Sequence, residues 1–173
     1  MVLPDVLAPS LDIVFCGTAA GAESAKQRAY YAGPGNAFWS TLFEVGLTPV
    51  ALQPHDYASL AQWQMGFTDL AKHVSGSDQV LDKAHFDVPR VRALILEYQP
   101  GILAFTGKRA AREFVGHPVG YGLLAERTGD TRLFALPSPS GAARGHWNIE
   151  HWHELSRLRA AMARCWTPLA RDG

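Results

Sequence analysis

Leu11-Asp12-Ile13-Val14-Phe15-Cys16 runs directly into Gly17-Thr18-Ala19-Ala20-Gly21, and this junction decides the fold. A short apolar run closed by glycine is the pattern of a strand covered on both faces, as parallel sheets require. The pattern returns at Gly101-Ile102-Leu103-Ala104-Phe105-Thr106-Gly107, with a helical stretch from Lys108 to Val115 following at once. A third run, Thr131 to Leu136, leads into a rigid Pro/Ser/Gly loop over 137–145. Gly66 to Ala71 reads as a further short strand, and residues 17–35 as a long loop with room for one helical turn. Asn36 caps a predicted helix through Phe38, Leu42, Phe43 and Val45, ended by Gly46. Further helices are predicted over His55–Trp63, from Asp87 to the residues before Pro100, and from about Asn148 to Cys165. Strands separated by helices predict a three-layer α/β/α sandwich with a short, mainly parallel central sheet, one domain over residues 1–173. Ligand sites in such sheets lie beyond the carboxyl ends of the strands. Gly17–Gly21, Thr68-Asp69, Gly107-Lys108 and the loop after Leu136 all fall there.

At 173 residues the chain is long enough to bury a core, and 47% hydrophobic residues with five Trp and eight Phe exclude a disordered or collagen-like chain. No apolar stretch reaches membrane-spanning length, and Met1-Val2-Leu3-Pro4-Asp5 lacks the basic start of a signal peptide. Cys16 and Cys165 sit at opposite ends of the chain, and Cys16, closing an apolar strand, reads as a buried free thiol. These features predict a cytoplasmic protein without a membrane partner. The 16 basic and 16 acidic residues balance. They are unevenly spread: residues 1–100 hold six Lys/Arg and ten Asp/Glu, residues 101–173 ten and six. A phosphate-facing edge in the second half fits this asymmetry, and so does a solvated helix face bearing Arg157, Arg159 and Arg164.

Metal and nucleotide motifs are missing from the sequence. His146, His151, His153 and Glu150 match no zinc spacing, and the two cysteines lack a CxxC context. Gly33-Pro34-Gly35 opens no dinucleotide-binding helix. No nucleophile elbow is present either, which argues against a small-molecule hydrolase on this scaffold.

Between the first and third strands stands Tyr30-Tyr31-Ala32-Gly33-Pro34-Gly35-Asn36-Ala37-Phe38-Trp39. Taken with Gly17–Gly21 and with Ser138-Pro139-Ser140-Gly141, it resembles the aromatic loop and the two active-site motifs of the uracil-DNA glycosylase superfamily. The resemblance is nearest to the mismatch-specific uracil/thymine branch and runs from about Val14 to Leu158. Either motif alone also suits a plain strand-to-helix turn or connector. The ten-residue aromatic stretch is the most specific part.

The resemblance implies a base-flipping DNA glycosylase that hydrolyses the N-glycosidic bond of uracil as part of base excision repair. Such an enzyme needs no metal or redox cofactor. Its partner is DNA bearing uracil or an abasic site, and it acts as a monomer, associated with the nucleoid while on DNA. By that resemblance Gly17, Thr18 and Ala19 form the water and base site, Tyr31 stacks on the extruded base, and Asn36 belongs to the base-binding loop. Phe38 and Trp39 fit the core better. Ser138 replaces the Asn or His of related motifs, while Ser140 and Gly141 match phosphate-binding positions. Ala142, Ala143 and Arg144 lie where the family inserts a wedge; Arg144 is the longest of them. Asp69 matches a base-reading position, with a turn cap as the alternative, and Lys108 matches a phosphate contact, with an ordinary surface lysine as the alternative.

One departure bears on mechanism. The family carries Asn in the middle of the first motif, where it holds the attacking water, and this chain has Ala19. Backbone N–H groups still stabilise the charge developing on the base. The water then falls to the main chain of Ala19, or to Glu23, Ser138 or His146. Two readings follow: a monofunctional glycosylase with an atypical water site, Lys26 being the nearest lysine, or an inert module that binds uracil-containing or abasic DNA.

Overall fold

The computed structural model describes residues 1–165. Five strands form one sheet in the order β2-β1-β3-β5-β4. They are β1 (Ile13–Gly17), β2 (Met65–Asp69), β3 (Ile102–Phe105), β4 (Gly122–Thr128) and β5 (Thr131–Ala135). The pairs β1/β2, β1/β3 and β3/β5 are parallel, and β4 runs antiparallel to β5. β4 is not among the expected strands. Its burial alternates, and it joins β5 through the two-residue turn Gly129-Asp130, with Gly129 at a φ of 56°. Alternating polarity suits an edge strand with one covered face.

Side-chain alternation in the central strands divides the core. Ile13, Phe15, Phe67, Ala104 and Phe134 point to one face, where α2 (Phe38–Glu44) and α5 (Glu150–Cys165) cover them. Val14, Cys16, Leu103, Phe105 and Leu133 point to the other, against α3 (Val88–Tyr98) and α4 (Lys108–Val115). The period of two in a strand and apolar helix faces on both sides produce the three layers. Cys16 is buried with a free thiol, which burial pushes well above its usual pKa.

The helical turn expected in the 17–35 segment is α1 (Ala22–Gln27). Two other local expectations need adjusting. Pro54–Trp63 is a 3-10 helix rather than an α-helix. Ala37, not Asn36, occupies the cap of α2, although Asn36 Oδ1 accepts a hydrogen bond from the Phe38 amide at 2.9 Å.

Arg159 is no part of a solvated face. Its guanidinium bonds Asp12 Oδ2 at 3.0 Å and donates to the carbonyls of Leu47 and Trp63 at 2.8 and 2.5 Å, clasping three separate segments to α5. Arg157 is exposed as expected, and the side chains of Arg164 and Cys165 lie outside the described residues. Removing the Arg159 guanidinium leaves two carbonyls and a carboxylate without their donor. Arg159→Met should therefore lose about 2 kcal/mol in chemical denaturation, whereas Arg157→Met should stay within about 0.5 kcal/mol of the parent.

Candidate active site

The carboxyl ends of β1, β2, β3 and β5 open into a cavity of about 670 Å³. It is one continuous space because four parallel strands finish at the same edge and deliver their following loops there.

At its floor the register pairs Gly17 with Asp69. The Asp69 side chain is 5% exposed, and Oδ1 lies only 2.7 Å from where a Cβ on residue 17 would sit. A Cβ at 17 would force the Asp69 carboxyl to shift. Beneath Asp69 lies a buried polar network. Lys72 Nζ stands 3.0 Å from Asp5 Oδ1 and 3.9 Å from Asp69 Oδ2, and it donates to the Tyr30 hydroxyl at 3.0 Å. Arg90 bonds the other Asp5 oxygen at 2.8 Å and the Asp69 carbonyl at 2.6 Å. Burial pushes the Asp69 carboxyl up to about 7, with Asp5 adding to the rise and Lys72 and Arg90 opposing it. Near neutral pH a protonated Asp69 presents one O–H donor and one acceptor oxygen.

Tyr31 forms the adjoining wall. Its backbone lies in the left-handed region, φ 54°, which costs an L-residue roughly 1–2 kcal/mol. Two contacts hold it there: the ring stacks on Phe38 at 4.0 Å, and the hydroxyl shares a 2.8 Å hydrogen bond with Thr106 Oγ1. Burial and Asp69 raise its phenol well above the usual value. Phe38 and Trp39 are core residues, 0% and 5% exposed.

The second loop faces the first across the cavity. The Ala37 amide donates to the Pro139 carbonyl at 2.8 Å, and Gly141 backs onto the Pro34 carbonyl so closely that a Cβ would stand 3.2 Å from it. Ser138 Oγ accepts from the Ser140 amide and Ser140 Oγ from the Ala142 amide, both at 3.3 Å, shaping the turn into the 3-10 segment Gly141–His146.

Thr18, Ala19, Glu23, Asn36, Lys108, Ser138, Ser140, Gly141, Ala142 and His146 all border this cavity, as do Gly17, Tyr31 and Asp69. Arg144 does not. It lines an adjoining cleft of about 300 Å³ with Gly35, Ala37, Pro139, Ser140 and Trp147. Glu23 Oε1 is engaged by Gln27 Nε2 at 2.7 Å, and Lys108 Nζ lies 4.2 Å from the centre of the Tyr121 ring. Lys26 is exposed on α1 and is not among the cavity residues.

Sequence reasoning missed Leu3, Thr106 and the segment 76–79, all of which border the cavity. Thr106 carried a usable signal, a threonine at a strand end just before Gly107. Leu3 carried none, because the segment reaches the site by lying along β2: Val6 pairs with Phe67, and the Val2 amide donates to the Lys72 carbonyl.

Comparison with known proteins agrees with this architecture. The family model described as Uracil DNA glycosylase superfamily matches residues 4–162. The chain belongs to this superfamily. The solution NMR structure of a protein from Methanosarcina acetivorans, itself provisionally named a uracil DNA glycosylase, superposes with a TM-score of 0.58 at 18% identity, covering 93% of this chain and 96% of that one. At that identity the likeness is one of fold. The superfamily match takes in both loops and every residue bordering the cavity except Leu3.

The raised Asp69 carboxyl ties stability to pH. In the folded protein it stays protonated between roughly 4, where an unfolded Asp ionises, and about 7. The folded state therefore binds the extra proton in that window, and stability falls as pH rises through it. Asp69→Asn, which cannot ionise, should melt several degrees above the parent at pH 8, with the gap closing toward pH 4. A melting difference that does not change with pH would place the ionisation elsewhere.

Proposed function

We propose that the protein is a monofunctional DNA glycosylase that flips uracil out of DNA and hydrolyses its N-glycosidic bond. The observation that carries this reading is the convergence of Gly17–Gly21, Tyr31, Asp69 and Ser138–Gly141 on one cavity.

Each wall has a chemical task in this reading. A flipped pyrimidine stacks on Tyr31, whose far side already rests on Phe38. Protonated Asp69 donates to O4 and accepts from N3–H, the pairing a uracil edge requires and an ionised carboxylate makes only in part. Main-chain N–H groups of the first motif face the charge that develops on O2 and N1 as the bond breaks. Ser140 and Gly141 hold the flanking phosphate, with Lys108 nearby and Arg144 in the neighbouring cleft. Schiff-base chemistry is disfavoured by the engagement of the nearby ammonium groups: Lys72 with Asp5 and Tyr30, Lys108 with Tyr121. The mismatch-specific uracil/thymine branch is preferred because the sequence stretch Tyr30–Trp39 resembles its aromatic loop.

The test is release of uracil from a single-uracil oligonucleotide, scored by strand scission after alkali. The protein should act under single-turnover conditions and bind the uracil strand in preference to a thymine control. Binding without release would establish the inert-module reading that Ala19 invites. Tyr31→Ala should lose about 1–3 kcal/mol of substrate stabilisation. Tyr31→Phe should keep most of the activity, since it retains the ring and gives up only the Thr106 bond.

A further inference from the structure

Ala19 puts no polar atom in the middle of the first motif, yet a carboxylate reaches that motif from elsewhere in the chain. The segment after β2 turns back over the cavity and is fastened to the motif at two points. Ala20 forms a bridge with Ser75 in which the Gly76 amide donates to the Ala20 carbonyl at 2.9 Å, and Thr18 Oγ1 donates to Asp78 Oδ1 at 2.7 Å. From the far side Arg109 secures the same strap. Its guanidinium donates to the carbonyls of Asp78 and Leu81 and lies over the Phe86 ring at 5.2 Å. Asp78 is thus a cavity-lining carboxylate one residue removed from Ala19, with Oδ1 occupied by Thr18. Among the described residues no side chain bonds its Oδ2.

Ser138 Oγ accepts from the Ser140 amide, and Asp69 sits on the floor against Gly17. Glu23, like Asp78, has one carboxylate oxygen bonded, and His146 is an exposed residue bordering the cavity, but among the described residues neither side chain is hydrogen-bonded to the first motif, as Asp78 is through Thr18. We propose that Asp78 is the residue that holds and deprotonates the attacking water, taking over from a distant strap the task that a side chain at position 19 cannot perform. The proposal rests on the glycosylase reading above. In the step, the water oxygen bonds C1′ as the C1′–N1 bond breaks, and the bonding pair leaves on the uracil ring. The water's proton passes to the Asp78 carboxylate and from there to solvent, and uracil takes up a proton from solvent after release. Thr18 and Arg109 act as positioning residues: one fixes the carboxylate, the other the backbone that carries it.

Asp78→Asn is the informative variant, because its side-chain oxygen still accepts from Thr18 and the strap stays fastened while the proton acceptor is gone. Single-turnover uracil release should fall about 10²–10³-fold in Asp78→Asn and in Asp78→Ala. Melting temperature should stay near the parent's in Asp78→Asn, and its affinity for an oligonucleotide bearing uncleavable 2′-fluoro-deoxyuridine should remain within about threefold. Added formate, a small carboxylate able to enter the space left by truncation, should restore part of the rate in Asp78→Ala only. An Asp78→Asn protein releasing uracil at the parental rate overturns the proposal. So does a rate loss in Asp78→Ala matched by equal loss of affinity and untouched by formate, since that marks Asp78 as a strap fastener alone. A parent that releases no uracil removes the glycosylase reading itself and the proposal with it, an outcome distinct from the other two.

Discussion

The contact between the Asp69 carboxyl and the bare Cα of Gly17 is the constraint on which the site depends. Neighbouring parallel strands place these residues side by side, and any larger residue at 17 would collide with Oδ1 at 2.7 Å. Hydrogen bonds alone would not position a buried carboxyl so tightly. It needs a close-packed surface on one side and charge compensation on the other. Gly17 is the first, and the group of Lys72, Arg90 and Asp5 is the second. The strand register that creates this contact also brings Thr106 and the loop after Leu136 to the same edge.

The compensation is incomplete, and that has chemical value. Two cations and the second carboxylate of Asp5 surround Asp69, but desolvation outweighs them and lifts its carboxyl to about 7. A group poised there changes its hydrogen-bonding pattern over the physiological range, from acceptor only to donor plus acceptor. The N-terminal segment participates directly, because Asp5 bridges Lys72 and Arg90 while Leu3 borders the cavity. The segment is thus part of the pocket. Gly66 lets it lie close: the Val6 carbonyl passes through the space a side chain at 66 would fill.

Two kinds of rigidity meet across the cavity. Tyr31 is held in a costly left-handed conformation by Phe38 and Thr106, so its ring is placed before any ligand arrives. Opposite, the Ser138–Gly141 loop is fastened to the aromatic loop by the Ala37–Pro139 hydrogen bond and by glycines where backbones touch. Pre-placed walls reduce the ordering cost of binding a ligand there.

The layered fold was legible in the chain because its signals are local. Apolar runs ending in glycine marked β1 and β3, and the helix following Gly107 marked the parallel crossover. The edge strand β4 was overlooked, its polar alternation being weaker evidence than a buried run, although Gly129-Asp130 was the available turn signal. The first motif, the aromatic loop and the Ser/Gly loop were equally visible, since each is a contiguous stretch with distinctive small or aromatic residues. What sequence reading did not supply was how separate segments meet. Asp78 lies in a Gly/Ser/Asp stretch that reads as a connector, and only the strap's return over β1 brings it to Thr18. Arg159 has the look of a surface charge until three separate segments converge on it. Arg144 resembles a cavity residue by position, yet its loop directs it into the adjoining cleft. Local composition determines which segments become strands and helices, because backbone geometry responds to immediate neighbours. The protonation of Asp69 and the partners of Asp78 and Arg159 were decided only in the tertiary structure, because desolvation and Coulomb forces depend on groups distant in the chain and adjacent in space.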